Sequence, residues 1–158
     1  SMRNKRVFMT AAACTLVVAL LAGCGQSGAL TADKGWARTV PPGKTVTAGF
    51  AVLNNHTASD CTIEAVSSPQ AERVELHSTA VEDGVMRMRP MQSPAIAAGD
   101  SLLLAPGGNH LMLFGLGEHA SHLESIAISL ETSCGVVKAE LPVRRTAPSS
   151  GGGDHSHH

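Results

Sequence analysis

The stretch Ser125-Ile126-Ala127-Ile128-Ser129-Leu130 decides the architecture, because it puts a large aliphatic side chain at every second position. Side chains of an extended chain alternate between faces, so Ile126, Ile128 and Leu130 share one face and small residues take the other. The same period recurs upstream in Val46, Ala48, Phe50 and Val52, and downstream in Val137, Ala139, Leu141 and Val143. Turn signals separate these runs: Pro41-Pro42-Gly43, Asn54-Asn55, Asp83-Gly84, Ala98-Gly99-Asp100 and Pro106-Gly107-Gly108. They leave no room for a long helix. The expectation is an all-β, single-domain, antiparallel fold of two packed sheets, a sandwich or barrel.

The two ends of the chain read differently from this body. Basic Arg3, Lys5 and Arg6 precede an apolar run from Val7 to Leu21 and the small residues Ala22 and Gly23. That order is a secretory signal over residues 1–23, too short for an ordinary spanning helix. Leu21-Ala22-Gly23-Cys24 resembles the bacterial lipobox, which implies cleavage before Cys24 and acylation of its thiol. The expected location is therefore extracytoplasmic and lipid-anchored, facing a periplasm or the cell exterior. Residues 24–34 are small and polar and read as a tether, with the folded body at 35–145 beginning near Trp36. From Thr146 the composition turns to Pro, Ser, Gly and His, and residues 146–158 read as a disordered tail.

With 12 basic and 13 acidic residues the formal net charge is -1, so nothing electrostatic favours a nucleic acid partner. Of the four cysteines, Cys14 leaves with the signal and Cys24 takes the lipid, leaving Cys61 and Cys134 in the body. Two thiols outside the cytoplasm favour a disulfide, which would stabilise the fold by roughly 2 to 4 kcal/mol. The competing reading, soft metal ligands, lacks a C-x-x-C pair to support it.

Chemistry concentrates in two short segments. In Asn109-His110-Leu111-Met112-Leu113, a strand start after a Gly-Gly turn, Leu111 and Leu113 take the core face and leave His110 and Met112 together on the other. In Val74-Glu75-Leu76-His77 the same alternation turns His77 away from the core. A two-residue hairpin turn at Asp83-Gly84 would pair position 79 with 88 and 77 with 90, making His77 and Met88 diagonal neighbours, with Met86 on the same face. That register also sends Arg87 and Arg89 to the core side, which requires the hairpin tip to overhang the sandwich or the turn to be longer. Two imidazoles with thioethers form a soft, neutral donor set that suits Cu(I) and is a poor one for hard cations. Thioethers also do not close into disulfides in an oxidising compartment.

Ten residues separate His77 from Met88, twenty-one more precede His110, and one separates it from Met112. This H-x10-M-x21-H-x-M pattern, set in HSTAVEDGVMRMRPM and LLLAPGGNHLMLFGL, resembles the PCu(A)C copper-chaperone family, and the resemblance runs from Trp36-Ala37-Arg38 to Leu141-Pro142-Val143. It implies a cupredoxin-like β-sandwich or Greek-key barrel that binds Cu(I) through His77, Met88, His110 and Met112. It further implies delivery of copper to the CuA site of cytochrome c oxidase, directly or with a Sco-type partner. Two features depart from the family pattern: Glu118 to Glu124 replaces an expected Gly-Asp turn, and the Cys61/Cys134 pair is extra.

Other donors are weighed beside these. Met86 is an auxiliary thioether. His155, His157 and His158 form a nitrogen-rich tail better matched to Cu(II), whereas His56, His119 and His122 fall in expected loops and read as solvated. An enzyme is disfavoured, since no G-x-S-x-G elbow, H-E-x-x-H helix or phosphate-cradling loop is present. A blue-copper electron carrier needs a Cys thiolate between two His, and no His follows Cys134 before the tail. A copper-buffering lipoprotein, or a structural surface lipoprotein in which Met and His merely pack, are the remaining alternatives.

Overall fold

A computed structural model describes residues 28–148. The signal expected at 1–23, Cys24 with its expected lipid, and the tail histidines His155, His157 and His158 lie outside the described residues. Ten strands follow one another: β1 Leu30–Arg38, β2 Thr47–Asn55, β3 Cys61–Ser67, β4 Arg73–Glu82, β5 Val85–Pro90, β6 Ala95–Ile96, β7 Ser101–Leu104, β8 His110–Phe114, β9 Ser125–Thr132 and β10 Gly135–Arg144. A single 3-10 turn, Ala120–His122, occupies the segment between β8 and β9.

The strands hydrogen-bond in the order β5-β4-β8-β2-β1-β10-β9-β3-β6. Strands β7 and β8 share one edge of β2, pairing with Ala51–Asn54 and Thr47–Gly49 in turn. The ladder folds over into a cupredoxin-like sandwich with one core, in which Leu111 and Leu113 of β8 lie in the same cluster as Ile126, Ile128, Leu130 and Leu141 from β9 and β10. All pairs are antiparallel except β1 with β10, which run parallel through Ala37↔Val143 and Arg38↔Arg144. A wholly antiparallel order is thus corrected at one junction, where the first strand closes the fold against the last.

Strand β1 begins at Leu30, inside the stretch expected to be a tether. Its alternation is hidden in the sequence by an irregularity between Asp33 and Trp36, where Lys34 takes a positive φ of 53°. Strand β2 holds a second difference. Its large residues suggest that Ala48, Phe50 and Val52 face the core, yet Thr47, Gly49, Ala51 and Leu53 do so. The reason is steric: a Cβ on Gly49 would lie 3.0 Å from Leu141 Cδ1 and 3.2 Å from Leu113 Cδ1. The facing leucines fill the interior at this level, so β2 must present small side chains to them. Phe50 is buried instead on the outer face, where its ring sits 4.6 Å from that of its cross-strand partner Trp36.

Cys61 and Cys134 are joined in a disulfide with a Cα–Cα distance of 5.4 Å, tying the start of β3 to the β9–β10 hairpin. Asn55 is buried nearby and fully engaged: its amide donates to Ser59 O and Ile96 O, and its carbonyl accepts from Thr57.

Candidate metal site

The site is built on the outer face of β5, β4, β8 and β2. On β8, Leu111 and Leu113 are wholly buried in the core, so His110 and Met112 turn outward. On β4, Val74 and Leu76 are buried, and Glu75, His77 and Thr79 share the opposite face. The β4–β8 register sets His77 opposite His110 and Glu75 opposite Met112. Their imidazole rings are 5.8 Å apart.

The hairpin supplies the other thioethers. Asp83 and Gly84 have φ of 52° and 76°, the left-handed pair that a two-residue turn of type I′ needs. Glu82 therefore pairs with Val85, Thr79 with Met88 and His77 with Pro90. Met88 is the diagonal neighbour of His77, and Met86 lies beyond it on the same face. Every residue of β5 is exposed, so the hairpin overhangs the sandwich. Arg87 and Arg89 consequently meet solvent rather than core, and both engage Glu82: Arg89 donates hydrogen bonds through Nε and Nη2 at 3.1 and 2.8 Å, and Arg87 forms an ion pair with it at 3.4 Å. Arg89 holds the Glu82 carboxyl below its ordinary range, first through its hydrogen bond and then through its charge.

Met86, Met88, His110 and Met112 line one open hollow of about 300 Å³. Thr79 lies between them, Phe50 and Ala48 contribute from β2, and Arg38, whose guanidinium carbon lies 5.5 Å from the Phe50 ring centre, borders it. The two methionines of the hairpin are 63% and 60% exposed, whereas His110 is only 6% exposed. Nδ1 of His110 donates to Gly108 O at 2.9 Å, which fixes the ring. His77 does not line the hollow. Its ring lies beside that of His110, with Nε2 donating to Glu75 Oε2 at 2.8 Å and Nδ1 buried without a hydrogen-bond partner. Glu75 in turn accepts from Arg73 Nε at 2.8 Å, and its carboxyl is held below the usual range first by the His77 hydrogen bond and then by Arg73.

Among the described residues, no three His, Cys, Asp or Glu side chains converge at metal-binding spacing. The donors that line the hollow beside His110 are the thioethers of Met86, Met88 and Met112, a donor type that favours soft ions. His56, His119 and His122 are exposed and do not line the hollow; His119 and His122 face one another at 6.4 Å on their own turn. Sequence reasoning missed Glu75, Arg73 and the Trp36–Phe50 pair. The first was within reach, since a residue two before His77 must share its face.

Comparison with known proteins adds the following. The family described as "Putative lipoprotein LpqE-like" matches residues 30–143. A putative lipoprotein, Lxx21020, of Leifsonia xyli subsp. xyli is 31% identical over 111 residues, 70% of this chain and 66% of the relative, so the match spans just under two thirds of that protein. Among solved structures, the copper-bound PCuAC domain from PmoF2 superposes with a TM-score of 0.62 at 16% identity, covering 76% of this chain and 96% of that one. The Cu(I) form of DR1885 from Deinococcus radiodurans does so with a TM-score of 0.55 at 25% identity, covering 77% and 82%.

Proposed function

We propose that this chain, which belongs to the LpqE-like lipoprotein family, is an extracytoplasmic carrier that holds one Cu(I) through His77, Met88, His110 and Met112 and passes it on. The observation that carries the reading is the outer-face register: His77 lies opposite His110, and Met88 of β5 and Met112 of β8 are both diagonal neighbours of His77. Supporting it are two structural relatives, one copper-bound and one in its Cu(I) form. Cys24 would anchor the chain by its lipid, and the acceptor would be the CuA site of cytochrome c oxidase, reached directly or through a Sco-type protein.

The geometry suits carriage rather than catalysis. All four donors are neutral, so loading and release need no proton from a thiol and make no covalent bond on the protein. His110, enclosed and fixed by Gly108 O, is the stationary donor. Met88 stands on an overhanging strand with none beyond it among the described residues, and is the donor most easily replaced by an incoming ligand. Met86, one turn of the pleat further out, can hold the ion as it leaves. Exchange proceeds by stepwise replacement of donors through an ion shared between two proteins.

The test is transfer. Protein loaded with one equivalent of Cu(I) should give up its metal to an apo CuA domain or to an apo Sco-type protein, and His110→Ala should neither load nor deliver. Retention of the metal against both acceptors would reject delivery and leave only storage.

A further inference from the structure

We infer that Glu75, held by Arg73, is a positioning residue that keeps the proton of His77 on Nε2, so that His77 offers Nδ1 to the ion while His110 offers Nε2. The inference rests on the Cu(I) reading and adds to it the identity of each donor atom and two residues outside the ligand set.

The tautomers follow from the hydrogen bonds. A carbonyl oxygen can only accept, so the 2.9 Å contact between His110 Nδ1 and Gly108 O requires a proton on Nδ1. A neutral imidazole has one such proton, and its lone pair then lies on Nε2. For His77 the pattern is reversed. Nε2 lies 2.8 Å from Glu75 Oε2, and a carboxylate that also receives Arg73 on its other oxygen is an acceptor, so the proton sits on Nε2 and the lone pair on Nδ1. That Nδ1 is the one side-chain nitrogen or oxygen among the described residues that is buried with no hydrogen-bond partner. Buried polar atoms are nearly always paired, and a lone pair left without a donor invites a ligand.

The anchor is itself fixed. Arg73 lies with its guanidinium carbon 4.3 Å from the centre of the Phe114 ring, its cross-strand partner. Arg73/Phe114, Glu75/Met112 and His77/His110 thus follow one another along the β4–β8 ladder on one face. Alternation alone delivers this row, since residues 73, 75 and 77 point the same way. A carboxylate that receives the remote N–H of a ligating imidazole sets its tautomer and orientation, and loss of such a partner typically lowers metal affinity about 10- to 100-fold.

The experiment uses the 15N-labelled full chain and long-range 1H–15N correlation of the histidine rings, with and without one equivalent of Cu(I), whose closed shell leaves the lines sharp. His77→Gln assigns the His77 signals. The expected result is a proton on Nε2 of His77 and on Nδ1 of His110 in the apo protein, and copper-induced shifts at His77 Nδ1 and His110 Nε2. Glu75→Ala should mix the two His77 tautomers and weaken Cu(I) binding about 10- to 100-fold, and Glu75→Gln, whose amide oxygen still accepts from Nε2, should restore most of both. Copper shifting Nε2 of His77, or Glu75→Ala leaving tautomer and affinity unchanged, overturns the inference while the copper reading stands. Neither imidazole responding to Cu(I) overturns both. The wild-type spectra decide the donor atoms even where Glu75→Ala does not fold.

Discussion

At one end of β2, near Asn55, the sulfurs of Cys61 and Cys134 are joined; at the other, beside Ala48, Met86, Met88 and Met112 stand apart around an open hollow. The two ends are seven residues apart, about 23 Å of extended chain. Around the disulfide the side-chain polar groups of Asn55 and Thr57 are bonded within the fold, and Cys61 is fully buried. Around the hollow the chain leaves apolar methionines exposed, and beside it, on His77, one buried imidazole nitrogen unpaired. The same element, sulfur, is thus closed off where it contributes to stability and left open where it can bind. A thiol at the open end would risk oxidation in the compartment that keeps Cys61 and Cys134 bridged, whereas a thioether forms no disulfide.

That contrast can be broken most forcefully at its stable end. Replacing both Cys61 and Cys134 by Ala should lower unfolding free energy by roughly 2 to 5 kcal/mol, read by denaturant titration, and leave Cu(I) affinity of the folded protein unchanged. An equal loss of affinity would mean that the two ends are not independent. At the open end, Met88→Leu should do the reverse. Because Met88 is 60% exposed, stability should stay within about 0.5 kcal/mol, while Cu(I) affinity should fall at least about tenfold, near 1.4 kcal/mol. Met86→Leu, by the same competition titration, should weaken binding less than Met88→Leu, since it removes a donor outside the set of four.

The smallest effect concerns the hairpin that carries these methionines. Glu82 has a folded-state pKa lowered from its ordinary 4.5 by Arg89. Its contribution is therefore fully present above about pH 4.5 and disappears as the pH falls through the lower folded value. Amide signals of residues 81–85 should show increased exchange across that acidic window, signals around Cys61 should not, and Glu82→Gln should abolish the step. The pair is exposed, so the effect is one of local order rather than of global stability.

Period-two runs made the strands of β9 and β10 legible, because Ile126, Ile128, Leu130 and Leu141 all reach the core. The same rule gave the wrong phase in β2, where Gly49 must face Leu113 and Leu141 and the larger Phe50 finds its burial against Trp36 outside. Strand β1 was hidden by its irregularity at Lys34, which no periodicity registers. At the site, alternation and turn length sufficed to place His77, Met88, His110 and Met112 on one face. What they could not supply was the behaviour of individual atoms: that His77 is turned onto Glu75 and does not line the hollow depends on a side-chain contact along β4 itself.

The central claim is that imidazole nitrogen and thioether sulfur meet on one soft ion. X-ray absorption at the copper edge, on Cu(I)-loaded protein carrying Cys14→Ala and Cys24→Ala with Cys61 and Cys134 left bridged, tests it without interference from thiolates. The account predicts a first shell containing both nitrogen and sulfur at one copper per chain, with the sulfur contribution reduced in Met112→Leu. A shell of nitrogen and oxygen alone, unchanged by that substitution, would contradict it.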